Sequence, residues 1–110
     1  MNLKEITAIN GKKLKKSHVN LLVKLADKFN VTASDVKEVR SNPFTGARKE
    51  LEPLAVALFD FIVPNYHKGL VKGSTAESML NPNAIPTQIW DSSRHFFLEY
   101  WPEEYFALID

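Results

Sequence analysis

The sequence predicts an all-α protein, a compact single domain of about five helices over residues 17–110 that follows a basic hairpin or arm over residues 1–16. Three observations carry this expectation. Apolar residues recur at helical spacing from Val19 onward, and prolines 53, 64, 86 and 102 stand where helices begin or break. The stretch LAVALFDFIV, residues 54–63, is apolar nearly all round, as a central helix must be. With 110 residues, 45% hydrophobic and 25% charged, the chain has the composition of one globular domain with a real core.

Each element has its own local reason. Ile6, Ala8 and Ile9 precede Asn10-Gly11, a dipeptide favoured in two-residue hairpin turns. An ordered arm fits residues 1–16 equally well. Ser17 can cap a first helix reaching about Lys28, in which Val19, Leu22, Val23, Ala26 and Phe29 form one apolar face. Thr32 or Ser34 can cap a second, short helix with Val36 and Val39 inward and Lys37, Glu38 and Arg40 outward. It must stop before Pro43, whose ring disfavours helical geometry at Asn42. SNPFTGARKE is then a loop, opened by Asn42-Pro43 and closed by Gly46 at positive φ. Phe44 in that loop either packs back onto the core, the preferred reading, or is offered to a partner.

Pro53 suits the first position of the third helix, where its missing amide has no partner to lose. Pro64 ends or kinks that helix. Residues 64–85 form a long connection, with capping-box spacing from Ser74 to Glu77. Pro86 opens an aromatic helix with Ile89, Trp90, Ser93, Phe96, Phe97 and Tyr100 along one broad face. Pro102 breaks it, and WPEEYFALID restarts as a short terminal helix with Glu103 and Glu104 near the positive end of its dipole.

The stretch LADKFNVTASDVKEVR has a further property. Ala26 is small where a second helix would cross the first, Asn30 tolerates left-handed geometry at a turn, and Val31, Val36 and Val39 supply buried aliphatics, with Leu25 and Phe29 completing the set. Over residues 21–40 the segment resembles the bacterial helix-turn-helix family. The resemblance implies that Thr32, Ala33 and Ser34, with Lys37 and Glu38 one turn on, face the major groove of duplex DNA. Lys12, Lys13, Lys15 and Lys16 would then lie near the phosphates, and Arg40, outward on the second helix, is a further expected nucleic-acid contact. Small and aliphatic residues also build any tight helical corner, and Asp35 and Glu38 put negative charge on the reading helix. A corner that never meets DNA therefore stays open.

Charge is polarised along the chain. Residues 1–50 carry 11 Lys and Arg against 5 Asp and Glu, whereas residues 51–110 carry 3 against 8. A basic first half can meet phosphate and an acidic second half avoids it. The absence of cysteine excludes disulfides, thiol catalysis and thiolate-bound metal. No apolar run approaches the roughly 20 residues that span a bilayer, and residues 1–16 lack the apolar stretch of a secretory signal. The expectation is a cytoplasmic protein with no membrane partner.

Signs of catalysis are few. Asp91, His95 and Glu99 recur every four residues on one face of the aromatic helix, but three ligands from one straight helix cannot surround a metal. They read as a solvated face with Asp91 and His95 in contact. His18 and His67 stand near lysines and read as surface residues. No Gly-rich phosphate loop, nucleophile elbow or metalloprotease spacing is present. The chain is therefore expected to have no catalytic residue, no metal and no cofactor.

The aromatic end suggests another class of function. Trp90, Phe96, Phe97, Tyr100, Trp101, Tyr105 and Phe106 are seven aromatics in 17 positions, more than one helix face can bury. Aromatics left at a surface anchor protein interfaces. Trp101 and Tyr105, beside the Pro102 break, are the expected exposed pair, with Phe44 as a third candidate contact. Two hypotheses follow. One is a small DNA-binding regulator using residues 17–40, dimerising through its aromatic end. The other is a protein-interaction or structural subunit, such as an accessory protein of a phage or mobile element, a source suggested only by size and by the lack of enzyme signatures.

Overall fold

Asn10 and Gly11 turn the chain back on itself at φ values of 51° and 78°, the left-handed pair that a two-residue hairpin turn requires. Strand β1 (Ala8–Ile9) thereby pairs with β2 (Lys12–Lys13), following a short 3-10 turn at Leu3–Glu5. The structure, a computed structural model, describes residues 2–73 and 80–109. The Ser74 to Glu77 capping box lies outside the described residues. Helix α1 (Lys16–Phe29) buries Leu21, Leu22 and Leu25, and it stops at Asn30, whose left-handed φ of 56° lets the Asn30 and Val31 amides both bond the Leu25 carbonyl.

The chain then departs from the all-α expectation. Residues 30–37 are irregular, and Glu38–Ser41 is a strand, β3, paired antiparallel with β4 (Arg48–Leu51) in the register Glu38 to Leu51 and Ser41 to Arg48. The second helix of the expected helix-turn-helix is therefore not present, and Val36 and Val39, expected to face inward, are 62% and 45% exposed. The physical reason lies in the loop between the strands. Asn42 donates its amide to the Ala47 carbonyl at 2.8 Å and accepts the Gly46 amide at 2.9 Å, with Gly46 at φ 77°. That closes a hairpin around residues 43–46, and a hairpin satisfies the backbone of β-branched residues as well as a three-turn helix would. Ser34 caps no helix. Its hydroxyl forms a local turn at Val36 and reaches Glu38 Oε2 at 3.1 Å.

Helix α2 (Pro53–His67) begins on Pro53 and is buried along most of its length, from Leu54 through Phe59 and again at Phe61 and Ile62. It does not end at Pro64 but continues one turn further. Pro64 withholds one amide, and beside it Asn65 Nδ2 donates to the Phe61 carbonyl at 2.7 Å. Helix α3 (Thr87–Tyr100) packs across α2 and against α1, and α4 (Pro102–Leu108) turns back at Pro102 to lie on both α3 and β4. The core is thus a helical layer around α2 and α3, edged on one side by the β3–β4 hairpin. Among the described residues there are four α-helices and two two-stranded antiparallel sheets, and no helix is long and apolar enough to cross a membrane.

Two aromatic expectations are corrected here. Trp101 and Tyr105, expected at the surface, are 4% and 5% exposed. Because α4 folds back, Trp101 packs on Phe97 with ring centroids 5.2 Å apart, and the Tyr105 hydroxyl accepts a hydrogen bond from Arg94 Nη1 at 2.6 Å. Phe44, whose preferred reading was core packing, is 83% exposed.

Candidate functional site

The exposure of Phe44 is the work of one buried side chain. Asn42 is 4% exposed, and its Oδ1 accepts the amides of Phe44 at 2.8 Å and Thr45 at 3.3 Å. Its Nδ2 donates to the Ala107 carbonyl of α4 at 3.1 Å. The carboxamide therefore staples the hairpin loop to the terminal helix and fixes the backbone from which Phe44 projects.

Phe44 stands at the edge of a groove of about 640 Å3, formed where this loop, the end of α2, the start of α3 and α4 meet. Ile62, Val63, Leu108 and Ile109 supply its apolar lining. Its rim is a run of planar groups. Phe44 lies 5.8 Å from the His67 ring, His67 lies 6.1 Å from Tyr66, Tyr66 stacks on Trp90 at 5.3 Å and 25°, and the Arg94 guanidinium sits 5.8 Å from the Trp90 ring. Trp90 is fixed by a hydrogen bond from Nε1 to the Ile62 carbonyl at 2.9 Å, and Tyr66 remains 51% exposed.

The groove's electrostatics are one-sided. Arg94 and His67 line it, and among the described residues no Asp or Glu does. Asp91 grips Arg94 from α3, at 2.8 Å to Nη2 and 3.3 Å to Nε, and this hydrogen bonding holds the Asp91 carboxyl below its ordinary range. Of the five guanidinium N–H groups, three are engaged by Asp91 and Tyr105, and two have no partner among the described residues.

The residues expected to meet nucleic acid stand in several local settings. Lys12, Lys13 and Lys16 are exposed on the first hairpin and the start of α1. Lys15 is bound to Glu99 at 2.7 Å, and that hydrogen bond, with the nearby charges of His18, Lys15 and Lys12, keeps the Glu99 carboxyl below its usual range. Arg40 is held by both oxygens of Asp60, each at 2.9 Å, which fixes its charge and occupies its fork. Thr32 and Ser34 line a separate cleft whose carboxylates are Asp35, Glu38 and Asp60. Lys37 borders another, with Glu50, Glu52 and Glu104. Phosphate would meet negative charge at both.

His18 is not a free surface residue. Its Nδ1 lies 2.7 Å from the Tyr100 hydroxyl and its Nε2 lies 3.2 Å from Glu99 Oε2, a network that ties α1 to the end of α3. Asp91 and His95 are in contact at 3.3 Å, and no cluster of metal-ligating side chains occurs among the described residues. Comparison with protein-family models, with curated proteins and with solved structures finds no match.

Tyr66, His67 and Arg94 were missed as site residues by sequence reasoning. The signal for the first was available. Tyr66 stands four residues after Ile62, on the same helical face, once the helix is allowed to pass Pro64.

Proposed function

We propose that this protein is a non-enzymatic interaction module that holds a segment of a partner protein in the groove beside Phe44. The observation that carries the reading is a phenylalanine 83% exposed on a loop pinned by a buried asparagine side chain, which accepts two loop amides and donates to the Ala107 carbonyl. A rigidly presented aromatic adds nothing to the core and loses little entropy on contact, which is the character of an interface anchor. The cysteine-free composition suits a cytoplasmic setting.

A second reading, binding of duplex DNA through the first hairpin, is favoured by the exposure of Lys12, Lys13 and Lys16. It has less support, because Lys15 and Arg40 already have carboxylate partners and Thr32 and Ser34 share their cleft with three acids.

Photo-crosslinking in cells separates the two readings. A photoreactive residue replacing Phe44 is expected to give a discrete protein adduct that disappears when Tyr66→Ala is added. The same residue replacing Lys13 is expected to give no nucleic-acid adduct. A salt-sensitive nucleic-acid adduct at position 13, with nothing at position 44, would replace the interaction reading by the DNA reading.

A further inference from the structure

The chemistry of the groove narrows the partner. Its rim offers the rings of Phe44, His67 and Tyr66 in sequence, the last stacked on Trp90, while its donors are two N–H groups of Arg94 with no partner among the described residues, together with the Tyr66 hydroxyl and the His67 ring, each of which can donate or accept. Among the described residues no carboxylate lines it to receive a peptide amide or a lysine. A complementary occupant must be apolar and flat-sided, rich in acceptors, poor in backbone N–H, and negative where it meets Arg94. Proline-rich chain meets the first three demands. Its rings stack on aromatic faces, its nitrogens carry no hydrogen, and its polyproline II carbonyls point outward. An acidic residue meets the fourth.

We propose that the groove binds an extended, proline-rich segment of a partner protein, with proline rings on Phe44 and Tyr66 and one Asp or Glu carboxylate on Arg94. The proposal rests on the interaction reading and names its partner class. A single-stranded nucleic acid fits less well, since stacking platforms for bases run beside a track of cations for the phosphates, and among the described residues Arg94, already shared with Asp91, is the only Lys or Arg lining this groove. A second copy of the chain would need an acidic, proline-containing segment free to extend.

Fluorescence anisotropy with a set of labelled proline heptapeptides, in which one Glu occupies each position in turn, tests this. At least one member is expected to bind saturably. Replacing its Glu by Lys should weaken binding by at least about tenfold, as loss of a charge-assisted contact does. Replacing its prolines by Ala, or Tyr66 by Ala in a protein that melts normally, should weaken it comparably. Equal binding of the Glu and Lys peptides would overturn the charge assignment. No saturable binding by any member would overturn the peptide class, and a persistent Tyr66-dependent protein adduct at position 44 would then show that the interaction reading itself had survived. Self-association that competes with every peptide would also overturn it, in favour of a second copy as occupant.

Discussion

Trp101→Ala is expected to cost about 3–5 kcal/mol of stability, the range for truncating a large buried aromatic, and to lower Tm by more than about 10 °C in a domain of this size. The residue is 4% exposed and packs against Phe96, Phe97 and Tyr100 at the junction of α3 and α4. Its indole Nε1 is buried without a hydrogen-bond partner among the described residues, so the side chain contributes packing and no polar contact. Trp101→Phe should therefore cost much less than Trp101→Ala, because it keeps a ring and removes an orphaned donor. Urea denaturation of the two variants measures the difference. If Trp101→Ala unfolds at the wild-type midpoint, the residue faces solvent and the junction is misplaced.

Asn42→Ala is the second large effect. The change removes two acceptor contacts to the loop amides and the donor to the Ala107 carbonyl. Leaving these groups unpaired in a site that is 4% exposed should cost about 1–3 kcal/mol. The loop should also lose order. Amide hydrogen exchange reads this separately: in the wild type the Phe44 and Thr45 amides should be protected even though their side chains are exposed, and in Asn42→Ala they should exchange at rates near those of a free loop. Rapid exchange in both proteins would show that Asn42 does not fix the presentation of Phe44.

Much of the frame is legible from local signals. The Asn10-Gly11 turn, the left-handed stop at Asn30, the Pro53 start and the Pro102 break each follow from backbone preferences of one or two residues, and each is found, whereas α1 starts at Lys16 without a cap from Ser17 and buries Leu21, Leu22 and Leu25, of which only Leu22 belongs to the expected face. The β3–β4 hairpin is not legible in the same way. Two valines three apart cannot define a period, and the partner strand RKEL shows one buried residue, Leu51, with no alternation to betray it. Which strand it pairs with is settled by the Asn42 loop, a tertiary arrangement that includes a carbonyl 65 positions away.

The candidate site failed to show in the sequence for related reasons. An excess of aromatics near the C-terminus signals that some ring stays outside, but not which one. The fold-back at Pro102 buries Trp101 and Tyr105 and leaves Phe106 61% exposed, whereas Phe44, distant in sequence, is exposed at the edge of the groove that Tyr105 helps to build. Extension of α2 past Pro64 then adds Tyr66 and His67 to the rim, because a proline so near the end of a helix removes one bond and leaves the last turn intact.

The unfolding free energy of Phe44→Ala, measured beside that of Trp101→Ala, tests most directly whether Phe44 is kept out of the core. If Phe44 is presented to a partner and serves no packing role, its removal should change stability by no more than about 0.5 kcal/mol, as for an ordinary surface substitution. A loss as large as that of Trp101→Ala would contradict the account, because it would show that Phe44 packs into the fold and is not held out for contact.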